Sequence, residues 1–270
     1  MESVAILYIA IGSYERFWIP FQTSCERYFL PGMSKTYFVF TDSKHINSSD
    51  NISVTHVADE GWPGNTLHRF RFFLRQENNL SPYTYCFFFN ANACLLKPIT
   101  AEEVLPTQQE NELVGLTWRP CGNEFIHDFP YERNSLSTAF IAANEGTAYY
   151  QGGFFGGKTA AVMQLIQTLN KHIDQDESQQ ITAVNNDESH LNRYFLNHPP
   201  KCLSAQYGRP QEWEQPSDPS MIFLQKERIL GPWALYRLKG KSIEYVLRSG
   251  YSTVKRYLKQ LFNATPTNPS

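Results

Sequence analysis

The stretch Tyr37–Asp42, with the sequence YFVFTD, contains most of a predicted buried β-strand, Thr36–Phe40, which ends at the turn residues Thr41 and Asp42. A second apolar run, Val4–Ala10, precedes it, and an aromatic run, Tyr83–Phe89, follows it. Apolar residues recur at helical spacing over 65–76, between these runs. Strands that alternate with helices predict an α/β fold with a mainly parallel central sheet.

Further elements follow from the same patterns. Ile52–Val57 and Glu112–Trp118 are predicted as strands, and Thr100 with Glu103 forms a capping box for a short helix. Two longer helices are predicted from about Lys158 to Lys171 and over roughly Asp187–Leu196. The glycine-rich stretch before them, GGFFGG at 152–157, predicts either a tight turn into the next helix or a backbone that approaches a ligand closely.

Composition excludes several classes of protein. The 270 residues are 41% hydrophobic and carry a formal net charge of -2, so we expect a folded chain and no nucleic-acid partner. The first residues lack a basic region, and the apolar run Val4–Ile11 is too short to span a membrane. The five scattered cysteines lack a C-x-x-C pair, which argues against a disulfide framework or a zinc site. These features together predict a cytoplasmic protein.

The segment 226–262 differs from the rest of the chain. It contains nine basic and two acidic residues, and its apolar residues recur at roughly helical spacing. Such a segment suits a phosphate-binding surface, a solvated face, or a peripheral contact with the inner face of a membrane. The last residues, 263–270, are polar and are expected to be a frayed tail.

Two short polar motifs are candidates for chemistry. Asp187 and Glu188 begin a predicted helix, where a carboxylate is stabilised as an anion. Glu188 therefore suits stabilisation of a cation or nucleophilic attack, although simple helix capping explains the same pattern. Asn90–Asn92 follows a predicted strand, at the edge where α/β sheets bind ligands, as Asp42 does. Loop asparagines are also common turn formers.

In combination the motifs are more specific. The order of Tyr37–Asp42, Gly152–Gly157 and Asp187–Asn192 resembles the histo-blood-group A and B transferases and α-1,3-galactosyltransferases of glycosyltransferase family six. The resemblance extends from about Ile6 to Leu235. It implies a GT-A type, Rossmann-like fold that moves galactose or N-acetylgalactosamine (GalNAc) from a UDP-sugar to the 3-position of a galactoside, with retention. Because the membrane anchor and stem of the mammalian relatives do not precede the first strand, we expect a bacterial-type member or a trimmed catalytic domain.

The resemblance also implies roles for individual residues. Glu188 matches the catalytic glutamate, which either forms a covalent glycosyl intermediate or stabilises a same-face transfer. Trp118 and Asn185 replace acceptor-site residues, and Pro210 replaces an acceptor-contacting Asp. Donor contacts are expected at Ile9, Ala10, Ile11, Tyr14, Trp62, Arg69, Asn90, Ala91, Asn92, Gln151, Gly152, Gly153 and Asp187.

The sequence departs from the mammalian pattern at Asn90-Ala91-Asn92, where those relatives have an Asp-x-Asp motif that binds Mn²⁺. Two neutral amides lack the carboxylate oxygens that hard cations need. We therefore expect catalysis without a metal or other cofactor, within a single catalytic domain at 1–262 whose basic segment packs on or near the donor site. Candidates for a cation that replaces the metal are Lys226, Arg228, Arg237, Lys239 and Lys241.

The resemblance places donor choice at Gln151–Gly153, where bulkier residues at the position of Gly153 favour galactose. It therefore implies that a glycine at 153 leaves room for a 2-acetamido group and favours UDP-GalNAc as donor. The expected acceptor is a galactoside, fucosylated as in the A antigen. Gln151 departs from the large apolar or His residue expected beside it. The alternatives are a UDP-galactose-using enzyme, an inactive sugar-binding protein that has lost its metal site, and a membrane-surface scaffold. The retained Glu188 argues against an inactive protein.

Overall fold

The computed structural model describes residues 2–107, 112–117 and 129–231. Its centre is a sheet of seven strands: β1 Ser3–Ala10, β2 Ser34–Thr41, β3 Ile52–His56, β4 Tyr85–Phe89, β6 Leu113–Thr117, β7 Tyr150–Lys158 and β8 Lys201–Leu203. The strand order is β3-β2-β1-β4-β7-β6-β8. Only β7 in this sheet runs antiparallel to its neighbours, so the predicted mainly parallel α/β sheet is confirmed. Two short strands, β5 Ala93–Leu95 and β9 Met221–Phe223, pair separately.

Helices among residues 18–197 pack on both faces of the sheet. The α-helices of the described residues are α1 Trp18–Tyr28, α2 Gly61–Leu67, α3 Arg69–Leu74, α4 Glu77–Leu80, α5 Ala101–Val104, α6 Thr159–Ser178, α7 Asp187–Asn197 and α8 Lys226–Leu230. The capping box predicted at Thr100 is present. The single helix predicted over 65–76 is instead two helices, because the backbone leaves the helical region at His68. The helix predicted to end near Lys171 continues to Ser178.

The glycine-rich stretch at 152–157 is not a turn. It forms most of β7, paired with β4 on one side and β6 on the other. The glycines are needed for packing within the sheet: a Cβ atom on Gly156 would lie 2.0 Å from the ring of Phe87, and one on Gly157 would lie 2.1 Å from the carbonyl oxygen of Glu112. The turn prediction was wrong because glycine has no side chain, so a strand made largely of glycine does not show the apolar pattern by which strands are recognised.

The core lies between the central strands and the helices on each face. Strand β4 is buried along its whole length, as expected for a strand covered on both faces. On one face Phe70 and Phe73 of α3 pack with Phe88 and Phe155, and α6 contributes Val162, Leu165, Ile166 and Leu169. This packing holds α3, α6 and α7 against the strands that carry the site.

The chain divides into two compact units, Met1–Gln225 and Lys226–Ser270. The division falls where the basic segment begins. Within the described part of the chain, every helix is too short or too polar to cross a membrane. Cys25, Cys86 and Cys94 are free thiols, but Cys202 is disulfide-bonded.

Candidate functional site

The topology brings the predicted motifs to one edge of the sheet. The parallel strands β1, β2 and β4 end at this edge, and the antiparallel strand β7 begins there. The backbone N–H of Asn90, just after β4, donates to the carbonyl oxygen of Gly153 over 2.8 Å. The asparagine motif and the glycine motif are therefore direct neighbours, as sites in α/β proteins require.

The end of β1 forms one side of this edge. Ala10 and Ile11 are buried, whereas Ile9 and Tyr14 are partly exposed. The N–H of Gly12 donates to Oδ1 of Asp42 over 2.7 Å, which ties the loop after β1 to the loop after β2. The four residues expected to contact uridine thus lie together at the carboxyl end of the first strand.

Helix α7 brings Glu188 to the start of β7. Asn186 precedes the helix with φ of 50°, a backbone conformation that asparagine tolerates better than most residues. Oε2 of Glu188 accepts the backbone N–H of Gly152 at 2.5 Å, and Oε1 accepts the hydroxyl of Tyr149 at 2.7 Å. Both oxygens of the carboxylate are held, so its plane has a defined orientation.

Arg69 links Asp187 to the same strand. Its guanidinium forms an ion pair with Oδ2 of Asp187, donates to the carbonyl oxygen of Gly152 over 2.7 Å, and lies 4.7 Å from the ring centre of Phe88. Both charged groups are buried, so each needs the other. Oδ1 of Asp187 is buried without a hydrogen-bond partner, which leaves it able to accept from a ligand hydroxyl.

Burial opposes the effect expected of the helix N-terminus. It raises the pKa of Asp187 to about 6, although Arg69 lowers it. It also raises the pKa of Glu188, against the lowering effects of the Gly152 N–H, the Tyr149 hydroxyl and Arg69. The expectation that Glu188 is simply stabilised as an anion therefore needs correction: its ionised form depends on these specific donors.

The residues Asn90-Ala91-Asn92 form a turn with most of their polar groups in use. The Ala91 carbonyl oxygen accepts the hydroxyl of Tyr8 at 2.9 Å, and Nδ2 of Asn92 donates to the carbonyl oxygen of Leu224 over 2.7 Å. Oδ1 of Asn92 is buried without a partner. One neutral oxygen atom of this kind is a poor match for Mn²⁺, which prefers carboxylates. Among the described residues, no three His, Cys, Asp or Glu side chains form a metal-binding group.

The glycines at the start of β7 are in close contact with the carboxylates and with Phe223. A Cβ atom on Gly152 would lie 3.3 Å from Oε2 of Glu188, and one on Gly153 would lie 2.8 Å from Cζ of Phe223. The Gln151 side chain is buried, and its amide donates to the carbonyl oxygen of Gly208 over 2.8 Å.

The remaining predicted site residues are distributed more widely. Trp62 of α2 is 52% exposed. Asn185 uses its amide nitrogen within the protein, toward Tyr149 and Pro130. Lys226 and Arg228 lie in α8, in the second unit. Trp118, Arg237, Lys239 and Lys241, together with the tail at 263–270, lie outside the described residues.

Sequence reasoning missed two residues of the site. Tyr149 binds Glu188 and Phe223 lies against Gly153, yet neither belongs to a motif. The available signal for Tyr149 was its place immediately before the glycine-rich strand. A tyrosine buried beside a site needs a partner for its hydroxyl. No local signal identified Phe223, which comes from a distant strand.

Comparison with known proteins shows the family of the chain. Residues 113–228 match the family model of Glycosyltransferase family 6. The chain is 38% identical to the O-antigen biosynthesis glycosyltransferase WbnI of Escherichia coli over 227 residues, which cover 83% of this chain and 95% of that enzyme.

Animal relatives are more distant. Globoside alpha-1,3-N-acetylgalactosaminyltransferase 1 of Homo sapiens is 27% identical over 82% of this chain and 65% of its own length. Histo-blood group ABO system transferase 1 of Rattus norvegicus is 28% identical over 79% of this chain and 61% of its own length. The chain thus spans under two thirds of these animal enzymes. It belongs to glycosyltransferase family 6 and is a retaining hexosyltransferase that takes its sugar from a nucleotide-sugar donor and passes it to a glycan.

Proposed function

We propose that the protein transfers GalNAc from UDP-GalNAc to the 3-hydroxyl of a galactoside, with a fucosylated galactoside as the favoured acceptor, and that it does so without a metal ion. The observation that carries this proposal is the hydrogen bond between Glu188 and the backbone of Gly152 at the start of β7, where Arg69 binds both Gly152 and Asp187. The runner-up is the same transfer with UDP-galactose as donor.

Glu188 is the catalytic residue in this proposal. The bond between the anomeric carbon and UDP breaks and leaves positive charge on the sugar ring. In one route the adjacent carboxylate stabilises that charge while the acceptor hydroxyl attacks from the face that UDP leaves; in the other the carboxylate displaces UDP and is then displaced by the acceptor hydroxyl. In both routes the hydroxyl proton passes to the departed UDP, the product has retained configuration, and Glu188 must be ionised. The unpartnered Oδ1 of Asp187 is suited to accept a hydrogen bond from a hydroxyl of the donor sugar.

Donor choice rests on Gly153. Position 153 is the place where bulkier residues in the resembling transferases favour galactose, and a glycine there leaves room for the acetamido group. A relative named for N-acetylgalactosaminyl transfer aligns over most of the chain, which is compatible with this choice.

Metal independence rests on the asparagine motif. Negative charge still develops on the departing UDP, so a protein cation has to stabilise it. Arg69 already binds Asp187 and Gly152, which favours the basic segment as the source of this cation. We further propose a cytoplasmic protein whose basic segment is also able to contact the inner face of the membrane, which fractionation and liposome binding would test.

The experiment is UDP release from UDP-GalNAc with 2′-fucosyllactose as acceptor, with and without excess EDTA, and in parallel from UDP-galactose. We expect turnover that survives EDTA and is faster with UDP-GalNAc. Glu188→Gln keeps the shape of the side chain and removes its charge, so it should bind donor normally and lose at least about a thousandfold in kcat.

Each part of the proposal has its own contrary result. Loss of turnover in EDTA with recovery in Mn²⁺ would overturn metal independence. Faster turnover of UDP-galactose would overturn the donor assignment. Full activity of the Glu188→Gln variant would overturn the catalytic assignment.

A further inference from the structure

Three residues form a directed chain of hydrogen bonds that ends at Glu188. Nδ2 of Asn185 lies 3.0 Å from the carbonyl oxygen of Pro130 and 2.8 Å from the hydroxyl oxygen of Tyr149. That hydroxyl lies 2.7 Å from Oε1 of Glu188. The chain has only one consistent arrangement of hydrogens.

The carbonyl of Pro130 determines this arrangement. A carbonyl oxygen only accepts, so the atom of Asn185 that faces it must be the amide nitrogen. The same nitrogen has a second hydrogen to donate, and it points at the oxygen of Tyr149. Because Tyr149 accepts there, its own hydroxyl hydrogen is directed at Glu188.

Tyr149 itself is firmly placed. It is buried and packs in a small aromatic cluster, with its ring centre 6.0 Å from that of Phe129 and 5.6 Å from that of Tyr131. Burial and the nearby charge of Glu188 raise its pKa far above the ordinary value, so it remains a hydrogen-bond donor. Because its hydroxyl is occupied by Asn185 and Glu188, Tyr149 supports the carboxylate and does not contact the sugar.

We propose that Tyr149 is a positioning residue whose hydroxyl, oriented by Asn185, holds Glu188 in its reactive geometry and ionised state. This inference rests on the proposed function, in which Glu188 is the catalytic residue. The other charged groups that face Glu188 are Asp187 on the same helix and Arg69 on α3, and neither contacts its Oε1. Tyr149 is thus the donor to that oxygen among the described residues.

The test is the pH dependence of kcat in the full-length chain, with UDP-GalNAc and 2′-fucosyllactose. In Tyr149→Phe the carboxylate loses a donor that favours its charged form, so the acid limb should move to higher pH by about one unit. At the optimum kcat should fall about tenfold, since one charge-assisted hydrogen bond is lost. The KM for the donor should change less than twofold.

Tyr131→Phe is the matched control. It also removes a buried tyrosine hydroxyl from the same cluster, one that donates to the carbonyl oxygen of Ala148 and does not reach Glu188. Its pH profile should match that of the wild type. Equal shifts in the two variants would overturn the proposal, because they would reflect general loosening of the cluster.

Asn185→Leu gives a second measurement should Tyr149→Phe not fold. It removes the donor that orients the hydroxyl while leaving Tyr149 in place, so a smaller shift in the same direction is expected. A wild-type pH profile in both variants, with Glu188→Gln inactive, would overturn the role of Tyr149 and leave the catalytic role of Glu188 intact. Activity in Glu188→Gln would instead overturn the proposed function.

Discussion

At Gly153 a single methyl group is large enough to test donor choice. An added Cβ would lie 2.8 Å from Cζ of Phe223, a ring that is buried on β9 and has little room to move. In Gly153→Ala the methyl group or the displaced ring would occupy space assigned to the acetamido group. We expect kcat/KM for UDP-GalNAc to fall about tenfold or more relative to that for UDP-galactose, the range typical of one extra methyl group in a pocket.

The double variant Gly153→Ala with Phe223→Leu separates the two causes. Removing the ring relieves the collision, so part of the lost GalNAc activity should return. Competition between the two UDP-sugars in one reaction measures the ratio directly. A ratio equal to that of the wild type in Gly153→Ala would show that position 153 does not govern donor choice here.

At the residue scale, sequence predicted what lies in contiguous motifs and missed what lies between them. Glu188 and Gly152 were identified separately, and the structure joins them by a hydrogen bond of 2.5 Å. The bond from Tyr149 to Glu188 spans 39 positions, and no local pattern reports it. Burial was also invisible: the helix N-terminus predicted an easily ionised Glu188, whereas desolvation raises its pKa.

At the element scale, β7 depends on glycine for its place in the sheet. A Cβ on Gly156 would lie 2.0 Å from Cδ1 of Phe87 and 2.7 Å from the carbonyl oxygen of Cys86. Because backbone cannot easily move away, Gly156→Ala should lower the free energy of unfolding by about 3 kcal/mol, at the upper end of overpacking costs. For a chain of this size that corresponds to a Tm lower by roughly 6–12 °C.

Phe87→Leu provides a double-mutant cycle for this collision. If Phe87 causes the strain, the double variant should be more stable than the sum of the two single effects implies. Thermal unfolding followed by circular dichroism measures all three variants. Additive losses would place the strain in the backbone contact with Cys86, and an unchanged Tm in Gly156→Ala would contradict the close packing of β7.

The prediction of strands succeeded where burial of a strand produces a continuous apolar run in the sequence. Strands covered on both faces appear as continuous apolar runs, and β1, β2 and β4 were found within two residues at each end. The glycine-rich strand was predicted as a turn because its glycines pack through backbone atoms and therefore leave no apolar pattern in the sequence. The break at His68 was missed because the apolar residues on either side of it still follow helical spacing.

At the scale of the whole molecule, charge is distributed unevenly. The formal net charge of the chain is -2, although the segment 226–262 is basic. The rest of the chain is therefore acidic. The donor carries a diphosphate, and the asparagine motif supplies no charge to hold a metal beside it. In the proposed metal-independent reaction, positive charge of the protein has to stabilise this diphosphate, and the segment from Lys226 onward has the largest concentration of positive charge in the chain.

Five single variants test whether the basic segment supplies this charge. Each replaces one candidate cation by Gln: Lys226, Arg228, Arg237, Lys239 or Lys241. If one of them replaces the metal, that variant should lose about tenfold or more in kcat/KM for the donor, because a cation beside the leaving phosphate is lost. The loss should not be restored by Mn²⁺. Lys171→Gln, an equal charge change at an exposed position on α6, is the control and should stay within twofold of wild type. Steady-state UDP release with EDTA present measures the series. If all five variants matched the control, the cation would have to be a residue other than these five, and Arg69 would be the next residue to test.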